Sequence, residues 1–568
     1  MSKIDELMQQ GLHLHQTGRF AEAEAIYGKV LRKQPSHPAA NHLSGVLLLQ
    51  RGDATGAVHL LQKAVHLHGE NAEYLGNLGT ALNAAGRPAE ALSAFERSLK
   101  VQPRAPRVLN NQAMALKALG RLDDALTTYR AAIALSPQEP GFYRNFANAL
   151  AELGDLHGAE ENYRRALALR PNFPNALTGL VNSLATLGRL PEAVTTAATA
   201  AARFPHEPEI HRAHAHALWL SGDPAAAAAA YRAAIAANSL DVEAHRLLGQ
   251  VVPRTAIDAE VEAVQQLLDR PGLAPDAQAQ LHFTLAQAFD DSGDGARAAV
   301  HFRSANALVR QSRPFDLTGA LADLSALEDA FARLPDSAVP PLQPASGPVF
   351  IVGLPRSGKS TLEGQLGRHP ALHAAGELSA LANMAGALVK NGEDVATILA
   401  DPDRVSALGQ RFLAMAERLA PGRRLLDTMP NNFRLVGAIR LAMPSARIIH
   451  CVRDPRLHAI ALHQKYYALS GNGYTSDLAA LVAFQAGYRR QMSFWHRRFS
   501  GFIWDVDMSA APDFVALCRH LGLPAEAACA LPYVSEPRLP TAETPRRAAL
   551  AALLADLDGL SASPGSAR

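Results

Sequence analysis

Val349-Phe350-Ile351-Val352-Gly353-Leu354-Pro355-Arg356-Ser357-Gly358-Lys359-Ser360 decides the fold of the second half of this chain. A short apolar run rich in β-branched residues feeds a glycine-bounded loop, and Thr361-Leu362-Glu363-Gly364-Gln365-Leu366 reads as the start of a helix. A strand–loop–helix of this kind aims several backbone N–H groups and the positive end of a helix dipole at one spot, which suits a phosphate or sulfate. The spacing from Gly353 to Gly358-Lys359-Ser360 also satisfies the general phosphate-loop pattern. The loop therefore predicts an anionic, nucleotide-type ligand, against the alternative of a structural Gly/Pro turn. It leaves open whether a phosphoryl or a sulfuryl group is moved.

Downstream, Arg424–Asp427, Arg447–Val452 and Gly501–Val506 are the further candidate strands, separated by stretches of helical periodicity. A parallel sheet with crossover helices is the economical reading. Upstream the pattern is different. Gly18, Gly52, Gly86, Gly120, Gly154, Gly188 and Gly222 follow one another at intervals of 34, each with Ala five residues later. Nine residues after each glycine stand Tyr27, Leu61, Phe95, Tyr129, Tyr163, Ala197 and Tyr231, and Pro35, Pro103, Pro137, Pro171 and Pro205 close five of the units. This is the period and pattern of the tetratricopeptide repeat, seven units in phase. Each unit buries its apolar face against its neighbours, so an all-α solenoid is expected. The phase breaks after Asn238, and Gly293, Ala298 and Phe302 restore the spacing for one more hairpin at about 278–311.

The expected organisation is a seven-repeat solenoid at 1–240, a helical extension with the further hairpin at 241–312, and a proline-rich linker region at 313–346 holding a helix from Leu317 to Leu334. An α/β domain that opens with the anion loop follows at 347–540, then a helical or disordered tail at 541–568. With 55 basic and 53 acidic residues the net charge is +2, so no global field favours nucleic acid or a membrane surface. The polar start and the absence of a continuous apolar run of about 18 residues argue against a signal peptide or a membrane span. Cys451, Cys518 and Cys529 are too few for a disulfide framework, and a reducing cytoplasmic setting is expected. His211, His214 and His216 lack an acidic or cysteine partner nearby in sequence, so no metal is expected there.

Four ordered motifs carry a family resemblance. Pro355-Arg356-Ser357-Gly358 is followed by Arg368-His369-Pro370 with Gly376-Glu377-Leu378, then Asp427-Thr428-Met429-Pro430-Asn431-Asn432-Phe433, then Ala446-Arg447-Ile448-Ile449-His450-Cys451-Val452-Arg453-Asp454-Pro455. Together they resemble the sulfotransferases. The chain looks like a bacterial fusion of tetratricopeptide repeats with a sulfotransferase, whose transferase half is similar to the tyrosylprotein sulfotransferases. That resemblance implies 3′-phosphoadenosine 5′-phosphosulfate as donor, a metal-free reaction, and an acceptor hydroxyl, with protein tyrosine as the first guess. It assigns the 5′ end of the donor to Pro355, Arg356, Ser357, Gly358, Lys359 and Ser360, and its 3′-phosphate to Arg453, where a bidentate guanidinium is well suited. It makes Glu377 the general base and Arg356 a cation facing charge that develops on the leaving phosphate. Lys359 adds a further cation where the family more often carries a hydroxyl residue, against the alternative of a solvated lysine at the helix N-terminus.

Two further positions depart from the family pattern. Thr428 stands where a lysine is usual, so one transition-state cation is either absent or supplied by Lys359, and Ala461 stands where a serine usually helps hold the 3′-phosphate. Trp495 and Trp504 read as packing residues. The alternative readings are a Mg²⁺-dependent kinase or NTPase, with Asp427 ending a metal-holding strand, and a repeat scaffold carrying a decayed transferase. In the repeats, Asn77, Asn111 and Asn145 recur nine residues before their glycines. By resemblance to the O-linked GlcNAc transferases they form a ladder that holds an extended polypeptide by its backbone.

Overall fold

The computed structural model describes residues 2–254, 256–388, 393–468 and 470–525. The tail at 541–568, the end of the expected transferase domain and Cys529 lie outside the described residues. Contacts divide the chain into two compact units, one of residues 1–153 and 158–176, the other of 154–157 and 177 onward.

The first unit is built of antiparallel helix pairs such as Lys3–Gln16 with Phe20–Lys33 and Ala72–Ala84 with Pro88–Val101. Proline begins many of these helices, where its missing N–H costs nothing, and Asp53 and Asn71 cap others by accepting from Gly56 N and Tyr74 N at 2.8 and 3.0 Å. The hairpins turn at the periodic glycines, whose φ values of 73–87° suit a residue without Cβ. Ala23, Ala57, Ala91 and Ala125 are completely buried at the helix crossings, as are Tyr27, Leu61, Phe95 and Tyr129 beside them.

The second unit continues the helical pattern through Leu190–Arg203, Pro208–Leu220 and Pro224–Ala237. Short helices Val242–Val251 and Ala259–Leu268 then follow, the link between them pinned by buried Arg254, which pairs with Asp258 and Glu260. The extra hairpin is present as α1 (Pro275–Asp291) and α2 (Gly295–Ser312), with Gly293 at φ 85° and Ala298 and Phe302 buried. Helix α3 (Leu317–Arg333) lies within the proline-rich stretch; its Phe331 is fully buried edge-on against Trp495 at 5.1 Å.

Beyond it stands a five-stranded, all-parallel sheet of β1 (Val349–Val352), β2 (Leu372–Ala374), β3 (Arg424–Asp427), β4 (Arg447–Val452) and β5 (Ile503–Asp507) in the order β2-β3-β1-β4-β5. Every residue of β1 is fully buried, as a central parallel strand with both faces covered requires. Helix α4 (Lys359–Leu366) follows β1; α5 (Pro455–His463) and the long α6 (Leu478–Arg498) follow β4. β2 is an addition to the expected strands, and β5 begins two residues late because Gly501 turns the chain at φ 76°. The connection after β1 runs towards β2 and β3, whereas that after β4 runs to β5 on the other side. The carboxyl ends of β1 and β4 therefore flank a topological switch point, where open α/β sheets bind ligands. Among the described residues no helix is long and apolar enough to cross a membrane.

Candidate functional site

The loop after β1 is shaped by three unusual backbone positions. Gly353 (φ 157°) and Gly358 (φ 97°) admit no side chain: a Cβ on the first would meet Ser357 Oγ at 2.4 Å, and on the second Met508 at 2.9 Å. Between them Arg356 has φ 64°, the one positive value of a non-glycine among the described residues. A left-handed Arg costs of order 1–3 kcal/mol, and such strain gathers at sites that bind ligands. Leu362 N–H closes the first helical turn on Gly358 carbonyl at 3.1 Å, so the amides before it precede the helical ladder and face the loop. Two hydroxyls of this loop and helix, Ser357 Oγ and Thr361 Oγ1, are buried without a hydrogen-bond partner. Buried polar atoms left in this way fit an anion with several acceptor oxygens. Pro355 and Arg356 are half-buried and Ser360 is exposed.

Lys359 is 4% exposed, and its ammonium donates to Leu354 carbonyl at 3.2 Å. It is thus folded beneath the loop and is not a solvated helix-end lysine. Arg453 leaves the end of β4 and donates to Arg356 carbonyl at 3.3 Å, which brings the two arginines expected at opposite ends of the donor onto one loop. His458 of α5 donates from Nε2 to Pro355 carbonyl at 2.7 Å, and burial lowers its pKa to about 4, so it braces the loop as a neutral ring.

Glu377 follows β2. The residue is open to solvent on one side, while the protein around its carboxyl raises its pKa and nearby Lys359 opposes the rise. Its loop is held from two directions. Glu363 on α4 accepts from Gly376 N–H at 2.7 Å and from Thr428 Oγ1 at 3.4 Å, and burial raises the Glu363 pKa. Asp427, completely buried at the end of β3, accepts from Leu378 N–H at 3.4 Å, Met429 N–H at 2.9 Å and Asn432 Nδ2 at 3.0 Å. Both Asp427 oxygens are thereby spent on turns, not presented to a metal as a kinase-type strand end would need.

Sequence reasoning missed Glu363, His458, Tyr467 and Arg489. A cleft of about 380 Å³ runs from Leu354 past Arg453 and His458 to Gln485 and Arg489, placing a second guanidinium on the Arg453 side. Ala461 on α5 is buried and carries no hydroxyl into the site. Tyr467 has a buried hydroxyl without a partner and sits within electrostatic reach of Arg356 and Glu377. Its backbone carbonyl accepts from Arg313 at 2.8 Å, and Asn306 of α2 donates to His463 carbonyl at 2.9 Å, so the extra hairpin holds the segment that carries it. Only the order of motifs was available as a sequence signal, and none of these four lies in a motif.

Two other expectations meet packing facts. Trp495 is fully buried, donating to Phe433 carbonyl at 3.1 Å, whereas Trp504 is exposed on the edge strand β5. In the repeats, Asn77 Nδ2 meets His42 Nε2 at 2.8 Å, Asn111 donates to Thr80 Oγ1 at 3.1 Å, and Asn145 donates to Asn110 Oδ1 at 3.0 Å. Each amide nitrogen is thus engaged by the preceding repeat, which makes the ladder first of all an inter-repeat clasp.

Residues 348–526 match the family model described as "Sulfotransferase family". Tetratricopeptide-repeat models match residues 8–73, 77–140, 150–217 and 212–252. An uncharacterized protein of Aquifex aeolicus (strain VF5) is 26% identical over 269 residues, covering 44% of this chain; the chain thus spans 35% of that relative's length. Among solved structures, YrrB, described as a TPR protein with an unusual peptide-binding site, is 23% identical over 30% of this chain and 88% of its own, with a TM-score of 0.27. TTC0263, a TPR protein of Thermus thermophilus, is 21% identical over 32% of this chain and 98% of its own, with a TM-score of 0.29. The chain is a tetratricopeptide-repeat protein that carries a domain of the sulfotransferase family.

Proposed function

We propose that the crevice at the carboxyl ends of β1 and β4 moves a sulfuryl group from 3′-phosphoadenosine 5′-phosphosulfate to an acceptor hydroxyl. The observation that carries this reading is the loop after β1, where a left-handed Arg356, two buried hydroxyls without partners and the Arg453 guanidinium converge. The donor, when bound, supplies an activated sulfate whose departure leaves negative charge on a phosphate oxygen. Arg356, Ser357 and the N–H groups of Gly358 to Ser360 receive that end, with Pro355 shaping the approach, and Lys359 beneath the loop supplies positive charge without a flexible reach. Thr428 is committed to Glu363, so Lys359 rather than residue 428 is the cation of this region. Arg453 grips the 3′-phosphate, and Arg489, which lines the same cleft, takes over what Ala461 lacks.

Glu377 accepts the acceptor's proton as its oxygen bonds to sulfur and the sulfur–phosphate oxygen bond breaks. The neighbouring protein mass that raises the Glu377 pKa strengthens it as a base, and Asp427 and Glu363 hold its loop in place. A tyrosine on a polypeptide recruited by the repeats is the acceptor to test first, ahead of a carbohydrate or small-molecule hydroxyl. Free thiols at buried Cys451 and Cys518 suit a cytoplasmic setting. Calorimetry of the full chain with adenosine 3′,5′-bisphosphate and with Mg·ATP tests the reading. Tighter binding of the bisphosphate is expected; tighter Mg·ATP binding with release of its terminal phosphate would overturn it in favour of a kinase or NTPase.

A further inference from the structure

Apart from the anion loop, the sheet brings two imidazoles and a carboxylate to one point. His450 on β4 lies in register opposite Asp505 on β5, and His496 comes from the last turn of α6. Asp505 Oδ1 accepts from His450 Nδ1 and from His496 Nε2, both at 2.8 Å, and the three ligand atoms lie within 4.8 Å of one another. Three rigid elements thus fix the three groups, and long-range backbone pairing, not a mobile loop, sets their separation. His450 is 8% exposed while Asp505 is open to solvent, so an ion can reach the cluster from one side. The second ring nitrogen of His450, Nε2, meets the buried Tyr488 hydroxyl at 2.7 Å. An outer hydrogen bond of this kind fixes the tautomer and ring orientation of metal-ligating histidines.

We propose that His450 Nδ1, His496 Nε2 and Asp505 together bind one divalent late transition-metal ion, of which zinc is the probe, with water in the remaining position. Nitrogen and carboxylate oxygen ligands suit such ions, and three protein ligands with one open position are a familiar zinc arrangement. With bonds of about 2.0 Å, tetrahedral ligands stand about 3.3 Å apart, so each hydrogen bond opens by about half an ångström when the ion replaces the two protons. The ion ties the edge strand β5 to β4 and α6, a structural clamp at the back of the cleft that Arg453 also lines. Among the described residues this is the one group of three or more potential ligands brought together; the histidines at 211, 214 and 216 are not so arranged.

The test uses the full chain, stripped with a chelator and titrated with Zn²⁺ alone, beside the variants His496→Gln and Asp505→Asn. Both changes are at half-buried or exposed positions, so folding is retained, and the comparison separates this site from the other histidines of the chain. One equivalent of zinc is expected in the parent and missing from each variant. Zinc is also expected to raise the unfolding midpoint of the parent, since a ligand of the folded state alone stabilises it by mass action, and to lose that effect in both variants. Cobalt(II) in place of zinc should give a tetrahedral visible spectrum in the parent only. Equal zinc stoichiometry in parent and variants, or a parent midpoint that zinc leaves unchanged, overturns the site.

Discussion

Glu377 and Asp427 are carboxylates set to different tasks: one is open to solvent at the crevice and the other is sealed beneath the turn that holds it. Glu377→Gln keeps shape and removes the proposed base, so turnover should fall by about 10²-fold or more with nucleotide affinity nearly unchanged. Steady-state kinetics beside calorimetry decides this, and an equally active variant places the base elsewhere. Because the folded protein raises the Glu377 pKa, the ascending limb of the parent's pH–rate profile should lie above the usual glutamate value of about 4.3. Asp427 makes a different prediction. Complete burial pushes its pKa up to about 7, against the three donors that favour its charge. Between the unfolded value of about 3.9 and that folded value, the native state binds more protons. The contribution of Asp427 is therefore whole below about pH 4 and is lost as pH rises through about 7. Asp427→Asn keeps the neutral shape, and Asn432 Oδ1, buried without a partner, can turn to accept from the new amide. Urea unfolding should show a flatter decline of stability across that pH window in the variant; parallel profiles would exclude this role. Arg356, Glu377 and Arg453 were legible in the sequence because each stands inside an ordered motif. Glu363, His458, Tyr467 and Arg489 were not, since their meaning comes from partners distant in the chain, from 13 residues for Glu363 with Gly376 to 103 for His458 with Pro355, that only the fold brings near.

The repeat hairpins were the most legible elements, because a 34-residue period repeats the same packing problem at every step. The position seven residues before each loop glycine completes the rule, and only the packing shows why. Gly11, Gly45 and Gly79 stand there, and a Cβ at Gly79 would lie 2.6 Å from the Phe95 ring. Later repeats have Ala113, Ala147 and Ala215, but the sixth has Val181 just where its +9 residue shrinks to Ala197, both buried. Large and small have exchanged places, so the isolated irregularity of Ala197 conserves volume. Gly79→Ala should then destabilise the array by about 1–3 kcal/mol through overpacking, more than the roughly 1 kcal/mol that alanine returns in helix propensity. Denaturant unfolding checks this: a stabilised variant would show that Phe95 has room to move aside. In the sheet, four strands were legible as β-branched or apolar runs, while β2 is only Leu-His-Ala and carries no strand signal in its own residues. It forms because β3 offers it backbone partners, with Leu372 opposite Arg424 and Ala374 opposite Leu426.

For the whole molecule, the sequence alone suggests that the transferase half begins near residue 347, with a linker before it. The structure ties the preceding helices into that half. Asn306 is 2% exposed and bonded to His463, Arg313 donates to the carbonyls of Tyr467 and Ala468, Tyr466 donates to Asp276 at 2.7 Å, and Phe331 fills the space beside Trp495. A fragment starting at 347 would lose these hydrogen bonds, at about 1 kcal/mol each, and strip an aromatic residue from a core, at about 3–5 kcal/mol, together a large share of a total stability of about 5–15 kcal/mol. A fragment starting at 241 keeps them all. The 241–568 fragment should therefore unfold cooperatively and bind adenosine 3′,5′-bisphosphate like the full chain, whereas 347–568 should lose cooperative unfolding. If both fragments behave alike, the helices at 275–333 are an accessory to the transferase half. The same 241–568 fragment isolates what the repeats do. If the array recruits the polypeptide acceptor, the fragment should sulfate a small hydroxyl compound at the parental rate and a protein acceptor with a KM raised about tenfold or more, since only the tethering is lost. An unchanged KM for the protein acceptor would leave the repeats with another partner, and an equal loss on both acceptors would place them in the catalytic machinery itself.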